Sequence, residues 1–279
     1  MGAQVGQLRP KRIQFGKVEF RVAPDESGFV GIIVGRSAEK FRGPDEASVL
    51  RALEKVVLCE SNGFVGLRGA TGRFLSLFPF GFRDPGYIGD QKYGERAYKV
   101  AASRLLQDTL PLGRATKIAD AGLRALKVVQ RTNLIDPFTK PKLASVLRGQ
   151  RASEFLGICE VFAQGDVETA CNRLGREFAA EGVNKWVCLT YLPFLWRPDA
   201  HMFLKPEFTK GYAERIGHLF QHDYESSPNS RTYGLLLDMT AETARAVADL
   251  HPADNIDLHS FMWVAMEYPP DGEGVAADV

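Results

Sequence analysis

Cysteine is scarce in this chain, and its spacing argues against the chemistry it most often serves. The four cysteines, Cys59, Cys159, Cys171 and Cys188, form no CxxC pair and sit in apolar contexts such as "VVLCES" and "LGICEVF". Those contexts predict reduced, buried thiols rather than a disulfide framework, a zinc site or an iron–sulfur cluster. An excess of one charge is missing too. Lys and Arg number 35 against 34 Asp and Glu, a formal net charge of +1. No global field draws the chain to nucleic acid or to an anionic membrane, so any such binding needs a local patch. No apolar run approaches the length of a membrane span, and no membrane partner is expected. "MGAQVGQLRPKR" has no apolar leader core, and Gly6 stands where myristoylation favours Ser or Thr. A cytoplasmic location is the expectation. Repeats and low-complexity segments are absent.

What is present is ordinary globular material, 45% hydrophobic and 25% charged, enough for one large domain. "IQFGKVEFRV" alternates Phe15, Val18, Phe20 and Val22 with polar residues, "APDESG" turns, and "FVGIIVG" returns, which predicts a β-hairpin. From Asp45 the period becomes helical: Val49, Leu50, Leu53, Val56 and Val57 recur at three- and four-residue intervals, with Asp45 and Glu46 suited to the first turn. Similar patterns cover roughly 95–107, 115–130, 140–148, 152–164, 167–180, 185–196, 207–217 and 231–250, with Asp166 a predicted N-cap. The fold class is therefore mainly α: a compact multi-helix domain with an N-terminal β-hairpin. A single domain over 1–279 is expected, with "RGQRASE" near residue 150 as the place for a subdomain split and 269–279 as a flexible tail.

The segment 63–94, "GFVGLRGATGRFLSLFPFGFRDPGYIGDQKYG", breaks the helical rhythm, and within it "TGRFLSLF" could form a helical turn. Its glycines near Arg68, Arg73 and Arg83 could let backbone approach a ligand, and its phenylalanines suit a protein partner or a core-packing crossover. No GK[ST] follows "GLRGATGR", and the spacing is not that of a dinucleotide fingerprint, so nucleotide cofactors are not expected. In "GDQKYGERAYK", Glu95 and Lys99 stand four apart, as in a solvated helical ion pair. With Arg96 and the tyrosines, the same string could instead line a basic, aromatic-flanked nucleic-acid groove.

The densest constellation is "NKWVCLTYLPFLWRPDAHMFLKP", residues 184–206. An apolar helix ends in Arg197, Pro198, Asp199 and His201, with Lys205 just beyond. The layout from Gly182-Val183 through "PDAHM" to Arg215-Ile216-Gly217 resembles the helix-hairpin-helix DNA glycosylases over residues 182–217. The resemblance implies a carboxylate at Asp199 that stabilises the sugar cation as a flipped base leaves. It also implies a Schiff-base lysine at Lys185, and stacking surfaces in Trp186, Tyr191 and Trp196. Arg197, His201 and Lys205 would hold phosphate or a base edge, with Arg68, Arg73 and Arg96 adding to the groove. Asn184 stands where that family keeps its second hairpin glycine, and Lys185 and Asp199 are 14 residues apart.

The same residues have a structural alternative. Pro-Asp at a helix exit caps the next turn, Arg197 pairs with Asp199 or Glu207, and His201 is a buried, satisfied histidine. His218 and His222 have helical metal-face spacing, but Gly217 breaks the helix before them and no metal site is expected. Asp254, Asp257 and His259 precede an apolar run that looks like a helix closing the core; Ser260 lacks nucleophile-elbow glycines. The leading expectation is a nucleic-acid-directed protein with N-glycosylase-like hydrolase chemistry. The alternatives are a non-catalytic nucleic-acid- or protein-binding module of a bacterial regulatory or defence system, with 63–94 as its contact, and a small-molecule binder or enzyme built on the Arg/Asp/His cluster.

Overall fold

A strand that buries one face needs a second layer against it, and the first of two compact units shows how the N-terminal strands find theirs. In a computed structural model that describes residues 10–15, 18–35, 40–59, 65–89 and 94–267, this unit comprises the described residues up to Gly66 together with Ala213–Asp223. The predicted hairpin is part of a four-stranded antiparallel sheet in the order β1 (Lys11–Phe15), β2 (Val18–Asp25), β3 (Gly28–Ile33) and β4 (Phe41–Gly43). The register sets Phe20 opposite Ile33 and Val22 opposite Gly31, so their side chains share one face. Helix α1 (Glu46–Cys59) covers that face, burying Val49, Leu53 and Val57 against Phe20, Val22 and Ile33. Gly31 allows the approach, since a Cβ there would lie 2.5 Å from Val49 Cγ1. Asp45 starts the helix by accepting the Ser48 N–H at 2.7 Å, an interaction that lowers its carboxyl pKa.

The second unit, Leu67–Tyr212 with the described residues from Tyr224, is helical. The helices of the chain after α1 are α2 (Gly66–Leu77), α3 (Pro85–Ile88), α4 (Ala97–Thr109), α5 (Ala121–Gln130), α6 (Lys140–Arg148) and α7 (Ala152–Ala163). They continue with α8 (Val167–Glu177), α9 (Trp186–Trp196), α10 (Pro206–Ile216), α11 (Phe220–Asp223), α12 (Ser230–Ala246) and α13 (Asn255–Glu267). The chain is mainly α, as its periodicity predicts. Every residue of α9 is buried, the pattern of a helix apolar on all sides. Helices α4 and α7 both pack on it. The final turn of α9, which also holds Pro193, is fixed by Ser103 donating to the Leu195 carbonyl at 2.7 Å and by the Trp196 indole donating to Leu110 at 2.7 Å. Asp166 caps α8 through the Thr169 N–H, as its position predicts.

The glycine-rich segment departs from the loop expectation. Residues 66–77 form a helix despite Gly69 and Gly72, each of which weakens it by about 1 kcal/mol relative to alanine. Ala70, Phe74 and Phe78 recur every four residues and are buried. Phe74 meets Phe82, Phe261, Phe78 and Tyr87 at centroid distances of 4.8 to 5.7 Å, and this aromatic cluster outweighs local propensity. Phe80, 74% exposed, and Ile88 are large apolar side chains that the segment leaves outside. Residues 90–93 and the tail 269–279 lie outside the described residues.

Close packing in the helical unit reaches its limit at Gly122, on α5. A Cβ there would stand 2.0 Å from the Leu147 carbonyl oxygen and 2.6 Å from Ala152 Cβ. Helix propensity alone predicts that Gly122→Ala stabilises by about 1 kcal/mol. The clash predicts the opposite sign, a loss of about 1–3 kcal/mol in urea unfolding, and a midpoint at or above wild type would refute the close approach.

Candidate functional site

The apolar residues of α13 surround three polar side chains that have no exposed face: Asp257, His259 and Ser260 are all at most 2% exposed. Each therefore needs an internal partner. Asp257 accepts from Tyr87 Oη at 2.5 Å and from the Ala253 N–H at 2.7 Å, and pairs with Arg96. Arg96 also bridges to Asp254 at 3.1 Å, and these carboxylates raise its pKa against the opposing effect of burial. Ser260 accepts from Lys99 Nζ at 2.8 Å and donates to the Ile256 carbonyl at 2.8 Å.

Lys99 is 1% exposed. The i,i+4 pair with Glu95, expected on a solvated face, is buried instead, with Nζ 2.9 Å from Oε2. Burial works to lower the lysine pKa; the Glu95 carboxylate and the Tyr98 hydroxyl more than offset it, and the net direction is upward. Lys99 is thus a fixed positive charge and not a base. Since the Ser260 proton is directed at a backbone carbonyl, no Ser–Lys nucleophile is assembled here.

His259 differs from its neighbours. Its ring is stacked among Phe194, Phe203 and Phe208 at 5.2 to 5.7 Å, and neither Nδ1 nor Nε2 has a hydrogen-bond partner among the described residues. Burial pushes its pKa well down, and the charges of Lys99 and Lys205 push the same way, so the imidazole is neutral at pH 7. It lines a small cavity of about 90 Å³ with Glu95, Tyr98, Lys99, Asn133, Leu134, Lys205 and Trp263. Lys205 sits over the Trp263 ring, 5.0 Å from its centroid. Larger surface grooves exist, but this cavity is the one where buried charge, an unpartnered imidazole and aromatic walls converge.

The residues singled out by sequence scatter among several roles. Asp199 is 65% exposed, and its carboxylate takes two hydrogen bonds from Arg197, Nε to Oδ1 at 3.0 Å and Nη2 to Oδ2 at 2.9 Å. These bonds lower its pKa, so it is ionised. His201 is buried, with Nε2 3.0 Å from the Ala163 carbonyl and Nδ1 3.2 Å from Tyr233 Oη, and burial lowers its pKa. Lys185 reaches Thr139 Oγ1 at 3.3 Å, Trp186 donates to the Glu225 carbonyl, and Tyr191 donates to Val128. Arg68 is exposed and Arg73 half-buried on α2, while Arg96 is held in the carboxylate network. Lys205 is the member of the set that lines the cavity. His218 Nδ1 accepts the Phe220 N–H beyond Gly217, which adopts φ +70°. Cys159, Cys171 and Cys188 are buried free thiols, raised in pKa by burial.

Sequence reasoning passed over Glu95, Lys99 and His259 as a group. The available signal was a histidine and a serine inside the apolar string "DLHSFMWVAM", which must find partners wherever the helix packs.

A neutral buried His259 has a measurable consequence. In the unfolded chain a histidine takes up a proton below pH 6.5, its ordinary pKa, whereas in the folded chain it stays neutral until lower pH. The unfolded state then binds more protons, so stability is full above 6.5 and falls as the pH drops. His201 contributes in the same direction. Urea unfolding between pH 7 and 5 should show this decline, and His259→Phe should reduce its slope by up to about 1.4 kcal/mol per pH unit. An unchanged slope would show that the ring takes up its proton as readily in the fold as in the unfolded chain. No protein-family model, no curated protein and no solved structure matches the chain.

Proposed function

We propose that the helical unit binds a small anionic molecule, carboxylate- or phosphate-bearing, in the cavity around Lys99, Lys205 and His259. The observation that carries this reading is His259: a buried imidazole whose two nitrogens lack partners among the described residues, lining a cavity with two lysines. Leaving such atoms unmatched costs about 1–3 kcal/mol each, a penalty that a ligand removes. Glu95 offsets one of the two lysine charges, which leaves the cavity with a surplus positive charge at Lys205. The neutral ring offers one N–H and one lone pair, suiting an anion that also carries a hydroxyl, such as a hydroxy acid or a monoprotonated phosphate.

Inorganic phosphate and glycolate, titrated in a thermal-shift series, are the probes. A ligand at 100 times its Kd should stabilise the fold by about 2.7 kcal/mol. Lys205→Met and His259→Phe should each abolish the shift, while Arg197→Ala should leave it intact. A shift that survives both cavity substitutions, or no shift with either anion, overturns the reading.

A second reading, N-glycosylase-like cleavage of a flipped nucleotide, keeps one supporting observation. Gly182 turns at φ +68° between α8 and α9, and an ionised Asp199 stands at the exit of α9. Under this reading, duplexes carrying modified bases acquire abasic sites, and Asp199→Asn abolishes them without weakening DNA binding. Equal product from wild type and Asp199→Asn would remove Asp199 from the chemistry.

A further inference from the structure

The sheet of the first unit has a second face, and its register gives that face a definite character. Arg12 stands opposite Arg21, and Arg21 opposite Ile32; in the next row Ala23 faces Val30, and Val30 faces Arg42. These residues alternate with Phe20, Val22 and Ile33, which point into the core against α1. A groove of about 340 Å³ runs over this face, walled by Arg21, Lys40 and Arg42 and floored by Ala23, Val30 and Ile32. The guanidinium side chains are open to solvent, Arg12 72% and Arg42 61% exposed, with Arg21 at 40%.

Among the described residues, four cations share this face with two carboxylates. Glu19 holds Arg21 at 3.0 Å and Asp25 holds Arg42 at 3.0 Å, while Arg12 lies 3.9 Å from Glu19. Exposed ion pairs of this kind are worth little, so each guanidinium can exchange its carboxylate for a phosphate at small cost. A chain with a net charge of +1 thus concentrates a surplus of two positive charges on one sheet face.

We infer that this face is a docking surface for double-helical DNA. The inner strands β2 and β3 form a two-stranded ribbon, which the major groove of about 12 Å admits. All four strands span about 14 Å at their usual spacing, which sets Arg12 on β1 and Arg42 on β4 at the edges of the groove. Phosphates on either side meet the arginines, and the short apolar floor of Val30 and Ile32 suits base edges and thymine methyl groups. The residues that build the face include no aromatic ring, so it offers no stacking platform for single strands. The inference goes beyond the anion site and uses none of its residues.

The test is fluorescence anisotropy of a labelled duplex titrated with the full chain at several salt concentrations. Four phosphate contacts predict a slope of log K against log salt near about −3.6, a loss of roughly 100-fold between about 50 and 200 mM. The triple variant Arg12→Ala/Arg21→Ala/Arg42→Ala should make the slope shallower by about 2.7. The complementary variant Glu19→Gln/Asp25→Asn keeps every arginine, frees all three from carboxylates, and should tighten binding. Salt-independent binding, an unchanged slope in the triple variant, or no tightening in the complementary one overturns the inference. So does equal, arginine-dependent binding of a single strand, of polyglutamate or of anionic vesicles, since the face would then recognise charge without the duplex.

Discussion

A lysine ammonium 1% exposed is the constraint around which the helical unit is arranged. An isolated buried ammonium costs several kcal/mol, so Lys99 can sit where it does only with its charge answered at contact distance. Glu95 answers it from the turn before α4, and Ser260 answers it from α13. The spacing extends the same logic along the helix pair. Asp254, Asp257 and Ser260 recur every three residues, one face at the start of α13, and they meet Arg96 and Lys99 at the start of α4. Two cations from one element and two carboxylates and a hydroxyl from the other define a single register. Sliding α13 by one residue would set Leu258 and Phe261, or Ile256 and His259, against those charges in place of Asp257 and Ser260.

That register also sets the chemistry of the cavity. With Ser260 turned to Lys99, His259 is rotated about 100° onto the phenylalanine side, where no carboxylate or carbonyl is within reach of its nitrogens. Burial, reinforced by two positive charges nearby, keeps the imidazole neutral, and Glu95 keeps Lys99 charged. The three groups thus hold complementary states: a permanent cation, its compensating anion and a neutral donor–acceptor ring. Such a set suits recognition of an anion better than proton transfer at neutral pH, because Lys99 is held charged and His259 neutral.

How much of this was visible in the chain depends on the range of the interaction involved. Helices with a one-sided stripe or a local cap were legible: α1 from Val49, Leu53 and Val57, and α8 from Asp166. Helix α2 was legible only as a turn over "TGRFLSLF", since its glycines argue locally for a loop while Phe74 finds four ring partners, one of them Phe261, across the fold. The hairpin was legible from alternation, but β4 is a three-residue strand with too little sequence to signal itself. The Glu95–Lys99 pair was legible as a pair; its burial was not, because desolvation is decided by α13, some 160 residues further along the chain.

The contrast between Asp199 and His259 shows why constellation density misleads. "RPDAH" concentrates charge at a helix exit, yet a short string of alternating sign can satisfy itself locally, as Arg197 does by clasping Asp199 in solvent. A histidine alone in "DLHSF" has no such local solution. Its nearest acidic neighbour in sequence, Asp257, is taken by Arg96 and Tyr87, and the helix around it is apolar. An unsatisfied polar group in a dry environment carries more free energy to exchange with a ligand than a solvated ion pair does, since water has already taken most of what the pair could offer. Binding free energy is therefore concentrated where the sequence is quietest, at a lone imidazole between two lysines.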